Sequence, residues 1–262
     1  MKFGCFGFTH QIDMIKEAGF DSAELDFCEI TDMEETEFQA FKEKAIASGL
    51  GFEVFSGLVS LKERFHTPEF NLEYWLERTR KGARRAKELG CYMIPFGAGK
   101  CRSIPEGADM AAARKRVADI VRAFSEVLAQ EGILLVIEPL GPANSNFLNT
   151  LPEVDEFMKE VNHPNCSSMC DLRHMHKTGE PLTNLTDYHS IVKHAHIDYP
   201  RGFDRYFPAP EDDYDYLPYI KALADSGYQD ILTVEATSVR EDFFTESKIC
   251  LNYLHELEKQ TS

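Results

Sequence analysis

The sequence predicts an α/β fold in which eight β/α units close into a (β/α)8 TIM barrel, and three observations predict it. Short apolar runs alternate with amphipathic stretches from one end of the chain to the other. The amphipathic stretches repeatedly end on glycine just before the next apolar run, as in Ala18-Gly19, Ser48-Gly49, Leu89-Gly90, Glu131-Gly132 and Ser226-Gly227. Glycine there supplies the left-handed residue that closes a helix. The length, 262 residues, suits one such barrel. The rival arrangement is an open doubly wound sheet. A dinucleotide-binding sheet of that kind would carry G-x-G-x-x-G after its first strand, and none is present there. Without a linker, a low-complexity tract or a break in composition, residues 1–262 read as one domain.

The predicted strands, in order, are Lys2–Phe8, Ser22–Phe27, Phe52–Leu58, Tyr92–Gly97, Ile133–Leu140, Ser167–Leu172, His194–Tyr199 and Asp230–Ala236. Each is a short apolar run of the kind a strand buried on both faces requires. Helical periodicity marks Thr36–Ser48, Leu72–Leu89, Met110–Gln130 and Tyr216–Ser226 between them. The second helix lacks a strong capping residue, and Thr183–Lys193 fits neither pattern cleanly.

Composition excludes several classes of function. Lys and Arg number 28 against 44 Asp and Glu, a net charge of −16. A surface so acidic repels phosphodiester backbones and anionic lipid, which argues against nucleic acid and membrane surfaces as partners. The seven cysteines form no C-x-x-C pair, so neither a disulfide framework nor a zinc ribbon is indicated. No charged N-terminus leads into a long apolar run, and no stretch approaches the ~18 apolar residues of a membrane span. A cytoplasmic protein is the expectation.

Function in a barrel sits at the C-terminal ends of the strands. The fifth strand ends on Glu138, the sixth on Asp171, the seventh carries His196 and the eighth ends on Glu235. Carboxylates are rarely buried without a partner. Three of them converging with an imidazole on one mouth repel one another unless a cation sits among them. The oxygen-rich donor set suits one divalent ion, Mn²⁺ first, with Mg²⁺ or Co²⁺ as alternatives. His194 shares strand parity with His196, so alternation does not choose between them. His196 lies nearer the mouth and is the assigned ligand; His194 reads as a supporting or core histidine. His174, three residues beyond Asp171, can touch substrate or hold the metal's surroundings.

Arg102, Arg173 and Arg201 all fall in C-terminal loops, where guanidinium groups would read an acidic or polyhydroxylated substrate. Arg173, in the loop after the sixth strand, would add a fixed cation that shifts the pocket toward positive charge. Gly97–Arg102 is a glycine-rich loop with two basic residues that reads either as an anion cradle or as a plain β-to-α turn. The aromatic loop Arg201–Asp215 reads as a lid or a subunit contact, which leaves a homo-oligomer open. Glu24 and Glu53 lie on the second and third strands and read as paired structural carboxylates. Trp75 reads as helix packing.

A longer pattern now emerges. Glu138-Pro-Leu is followed by Leu148-Asn149-Thr150-Leu151, His163-Pro164-Asn165, Asp171-Leu-Arg-His174, His196, Arg201-Gly202 and Glu235. This resembles the sugar isomerase/epimerase superfamily with a xylose-isomerase-like TIM barrel, and within it the D-tagatose/D-psicose 3-epimerase group most closely. The resemblance implies that Glu138, Asp171, His196 and Glu235 bind the metal. It implies that Glu138 and Glu235 are the acid/base pair, and that His174 and Arg201 contact substrate oxygens. The chain departs from the group's pattern at Gly141-Pro142, at Asn144 where the group has a glutamate, and at Leu172-Arg173.

The expected function is a metal-dependent isomerase or epimerase of a small-molecule sugar or related polyol, working through a cis-enediolate with two glutamates as acid and base. The alternative is a lyase of the inosose-dehydratase type on the same site. Hydrolysis of the endonuclease IV kind would need further histidines on strands two and three and a basic surface, and the sequence has neither. A non-catalytic sugar-binding barrel shares the fold and separates only by assay.

Overall fold

Eight parallel strands form in the order the apolar runs predict. They are β1 (Lys2–Gly7), β2 (Ser22–Asp26), β3 (Phe55–Ser56), β4 (Met93–Phe96), β5 (Leu134–Ile137), β6 (Cys166–Asp171), β7 (Val192–Ile197) and β8 (Ile231–Val234). The structure is a computed structural model and describes residues 1–261. The hydrogen-bonded order is β3-β2-β1-β8-β7-β6-β5-β4, so each strand lies beside its neighbour in sequence and β8 returns to β1. The ring closes between β3 and β4 on a single bridge, Val54 to Met93, with the Tyr92 and Met93 amides both donating to the Glu53 carbonyl. That is the (β/α)8 barrel the sequence predicts.

The third strand is shorter than Phe52–Leu58. Only Phe55–Ser56 pairs regularly with β2: Gly57 ends the strand by turning the chain into the left-handed region at φ 85°, and the residues before it make only isolated bridges at Gly51 and Val54. The outer helices are α1 (Ile12–Ala18), α2 (Phe27–Asp32), α3 (Glu35–Ser48), α4 (Leu72–Glu88), α5 (Met110–Ala129), α6 (Leu151–Val161), α7 (Leu172–Thr178), α8 (Asn184–Asp187), α9 (Leu217–Asp225) and α10 (Phe243–Lys259). Asn71, Asp109, Thr150 and Asp242 cap α4, α5, α6 and α10 through their side chains, whereas α3 starts without a side-chain cap, as its sequence suggested. The short helices α2 and α7 begin immediately after β2 and β6, each capped by the strand's own last aspartate. The ambiguous stretch Thr183–Lys193 divides into α8 and the start of β7.

The core has two parts. The larger lies between the strands and the helices. The smaller joins Val54, Met93, Val136, Met169 and Ile231. Val136, Met169 and Ile231 stand two or four residues before Glu138, Asp171 and Glu235, so they share their inward parity. They form an apolar plug across the barrel, and the charged residues lie one step above it. No helix among the described residues is long and apolar enough to cross a membrane. All seven cysteines are free thiols, and all but Cys28 are buried.

Candidate metal centre and active site

Alternation within each strand puts the chemistry inward. Glu138 follows β5 directly, Asp171 ends β6, His196 sits on β7 and Glu235 follows β8. One ligand atom from each lies within 4.8 Å of every other. His196 Nδ1 points into the group, 3.2 Å from Glu235 Oε2, 3.8 Å from Glu138 Oε1 and 3.9 Å from Asp171 Oδ2. The structure thus brings together the four residues that the strand-end reading selected.

Backbone contacts aim these side chains. The Glu138 amide donates to Phe96 O and the Glu235 amide to Ile197 O. A Cβ on Gly97 would stand 2.4 Å from Glu138 Oε2, so only glycine lets the carboxylate lie there. Asp171 Oδ1 accepts the His174 backbone N–H at 2.9 Å as the cap of α7, which leaves Oδ2 for the cluster. The loop Gly97–Arg102 is therefore no anion cradle: its first glycine abuts a carboxylate.

Beneath the cluster, Glu24 on β2 holds both histidines. His194 Nε2 lies 2.9 Å and His196 Nε2 3.1 Å from its oxygens. A carboxylate only accepts, so both Nε2 atoms carry the proton and His196 presents Nδ1 upward. Ser56 Oγ also donates to Glu24. The sequence reading of Glu24 as a paired carboxylate and of His194 as a supporting histidine agrees with this arrangement. Glu53 likewise pairs, with Ser22 Oγ and Lys2.

The electrostatics of the cluster call for positive charge. Burial alone would lower the His196 pKa, but Glu24 and Glu235 outweigh it and hold it well above the ordinary imidazole value. Burial would raise Asp171, yet His174, Arg205 and His196 hold it below the usual carboxylate range. Burial opposes Glu235 in the same way, and Arg205 and His196 pull it down. Glu138 Oε1 and His196 Nδ1 are buried and lack hydrogen-bond partners. Unpartnered buried polar atoms are costly. Two of them facing each other among carboxylates, over a cradle that only glycine permits, fit a divalent cation. The donor set of carboxylate oxygens and one imidazole nitrogen suits a hard or borderline ion.

Sequence reasoning missed Arg205. It comes from the long loop after β7 and enters the cluster, with Nη2 2.8 Å from Asp171 Oδ2 and 2.5 Å from Glu235 Oε2, while Nε donates to Asp198. Burial raises the Asp198 carboxyl to about 7, against the pull of Arg205. Arg205 stands four residues beyond Arg201, and nothing in the spacing favours one over the other.

The three arginines expected to read substrate are placed differently. Arg102 is fully buried and donates to the carbonyls of Phe147, Phe96, Glu138 and Leu148. Arg173 donates to the carbonyls of Tyr199, Gly202, Phe203 and Asp204 and lies 3.6 Å from Asp198. Arg201 is exposed and pairs with Asp213 at 2.5 Å. None of the three lines the cavity above the cluster. Irregular loops leave their carbonyls without ladder partners, and buried carbonyls need donors, so the guanidinium groups of Arg102 and Arg173 are drawn to backbone rather than to the mouth. The pocket shifted toward positive charge by Arg173 is therefore not what the chain builds.

His174 does line the cavity. Its Nδ1 accepts the Gly141 N–H at 3.0 Å, so the proton is on Nε2, 3.6 Å from Glu138 Oε1. Asn144 lines the cavity as well. In the loop Arg201–Asp215, Phe207 is buried and Phe203 is 95% exposed.

The model of one protein family, the xylose isomerase-like TIM barrel, matches residues 12–251. No curated protein gave a match. Among solved structures, the 3-keto-D-glucoside 4-epimerase YcjR from E. coli superposes with a TM-score of 0.82 at 21% identity, covering 98% of this chain and 99% of that one. A D-psicose 3-epimerase gives 0.82 at 16% identity, with the same two coverages. The probable 3-DHS dehydratase AsbF from Bacillus anthracis gives 0.75 at 17%, covering 97% and 99%. Likeness at these identities is likeness of fold.

Proposed function

The chain belongs to the xylose isomerase-like TIM barrel family, and we propose that within it the protein is a metal-dependent isomerase or epimerase of a sugar or related polyol. The observation that carries this reading is the pair of unpartnered buried atoms, Glu138 Oε1 and His196 Nδ1, inside a cluster completed by Asp171 and Glu235. These four residues would hold the ion. When bound, it supplies a Lewis acid for a carbonyl and its neighbouring hydroxyl.

The protein's own groups do the rest. Glu138 and Glu235 close the fifth and eighth strands, so they approach a substrate from different sides. One carboxylate takes the carbon-bound proton next to the carbonyl, and the electron pair passes to the carbonyl oxygen. The other returns a proton, to the opposite face for an epimerase. Glu235, held ionised beside Arg205, is suited to accept. His174, its Nδ1 engaged by Gly141, offers Nε2–H to a substrate oxygen, and Asn144 lies at the same cavity.

The dehydratase among the structural neighbours favours one second reading, a lyase that shares the first proton removal and then expels a β-hydroxyl. One experiment tests both. Purified protein should hold about one divalent ion per chain, and incubation with ketoses in D₂O should place deuterium on the carbon beside the carbonyl. A product lighter by one water would select the lyase. Wild-type protein that binds no divalent ion after loading would overturn the reading altogether.

A further inference from the structure

The cavity above the cluster is larger than the cluster needs. Its volume is about 830 Å³, toward the upper end of the roughly 300–1,000 Å³ of small-molecule sites. One end is floored by Glu138, His174, Arg205 and Glu235. From there the space runs across the barrel mouth, past Ser56 and Gly57, into an arm between α2 and α4. Asp26, Cys28, Asp32, Tyr74, Trp75 and Arg78 line that arm.

The chemistry of the arm is specific. Arg78 is its only cation, and it is already answered: Asp32 lies 2.5 Å from Nη1, and the Tyr74 and Trp75 rings stand 5.8 and 5.4 Å from the guanidinium carbon. Its Nε is buried and turned away from the open space. Asp26 places one oxygen on the Glu29 amide at 2.8 Å and keeps its second carboxylate oxygen free of that bond. The arm therefore offers carboxylate acceptors and aromatic surface, with no uncompensated positive charge. Phosphate or carboxylate groups would meet Asp26 and Asp32 unfavourably. A neutral ring with hydroxyls at its edge to donate to the carboxylates and C–H groups on its faces to meet the rings matches both features.

We propose that the arm is a second sugar subsite, and that the substrate is a glycosylated sugar whose neutral ring occupies it, rather than a free monosaccharide. The inference rests on the isomerase or epimerase reading for what happens at the cluster, but the arm can be tested by binding alone. The probes are maltitol and isomaltitol, which carry a glucosyl ring on an unreactive polyol, with sorbitol as the ring-free control, on Mg²⁺-loaded protein.

Saturation-transfer NMR should mark the glucosyl protons, and the dissociation constant of at least one glucosyl polyol should be tenfold or more below that of sorbitol. Cys28→Phe fills the arm from α2 and should remove that advantage. Tyr74→Ala, at a half-exposed ring, should weaken it without threatening the fold. Equal affinity for sorbitol and both glucosyl polyols would overturn the proposal. So would an advantage that survives both substitutions, or tighter binding of D-fructose 6-phosphate than of any neutral probe.

Turnover separates the two readings. Deuterium exchange into maltulose and isomaltulose, the corresponding glucosyl ketoses, should exceed that into D-fructose. Strong glucosyl binding with no exchange on any ketose would keep the arm and remove the isomerase reading. Exchange on D-fructose with no gain from the glucosyl ring would do the reverse.

Discussion

The two halves of the barrel mouth are built on opposite plans. Strands β5 to β8 lead to Glu138, Asp171, His196 and Glu235, of which Asp171, His196 and Glu235 are each tied to a neighbour or a backbone group, while Glu138 keeps an unpartnered oxygen. Strands β2 to β4 end on open space, with Gly57 and Gly97 keeping Cβ atoms away from Asp26 and Glu138. The first half is preorganised charge and the second is room. Proton transfer needs groups fixed to fractions of an ångström, whereas selectivity among sugars needs a wall of a particular shape. On the reading proposed above, one barrel supplies both by giving the ends of β5 to β8 the first task and the ends of β2 to β4 the second.

Glu138→Gln attacks the charged half most directly. It removes an acid/base group and one ion ligand, and solvent-proton exchange into the best ketose should fall by about 10²- to 10⁴-fold. Metal content after loading and dialysis, read by elemental analysis, should fall as well. Gly97→Ala probes the boundary between the halves. The added Cβ would meet Glu138 Oε2 at 2.4 Å, and a carboxylate moved by about 1 Å should cost on the order of 10²-fold in kcat. The chemical step slowing with an unchanged melting temperature would show that positioning, and not folding, was lost.

Arg205→Met should divide apo from loaded protein. Removing charge-assisted contacts to Asp171 and Glu235 should destabilise metal-free protein by about 1.5–3 kcal/mol in urea titrations. It should also tighten divalent-ion binding measured by calorimetry, because the ion no longer competes with a guanidinium for the same oxygens. Weaker binding would instead make Arg205 part of the holo site. The smallest effect belongs to Arg201→Ala. Its exposed pair with Asp213 is worth about 0–1 kcal/mol, and kcat/KM should hardly move. A large loss there would return Arg201 to the substrate site.

The charged half was legible in the sequence because its signal is periodic. Acidic or imidazole residues at the end of an apolar run stand out, and strand parity then fixes their direction. Glu24 was legible for the same reason, since it sits mid-strand. The arginines were not. A loop residue carries no parity, so Arg102 and Arg173 were placed at the correct end of the barrel but with the wrong partners. Their direction depends on which loop carbonyls lack donors, a property of the folded loops around residues 141–149 and 199–204. Arg205 escaped for the converse reason: it solves a charge problem that exists only once the three carboxylates have met. The third strand was overread at its C-terminal end because Gly57, inside the apolar run, ends regular pairing, and at its N-terminal end because Val54 is drawn to a single bridge with Met93 instead.

Arg205 also bears on how the chain comes to be made. Three carboxylates gathered in one buried place would oppose the last stage of folding if nothing positive accompanied them. A protein that relied on a dissolved ion for that step would have to compete for scarce metal while still leaving the ribosome, and would fold only as fast as the ion arrived. Here the counter-charge is encoded in the polypeptide, on a loop that follows β7 and precedes the last strand. If the cluster takes the ion proposed above, folding need not wait for it, because Arg205 already answers Asp171 and Glu235 in the ion-free chain.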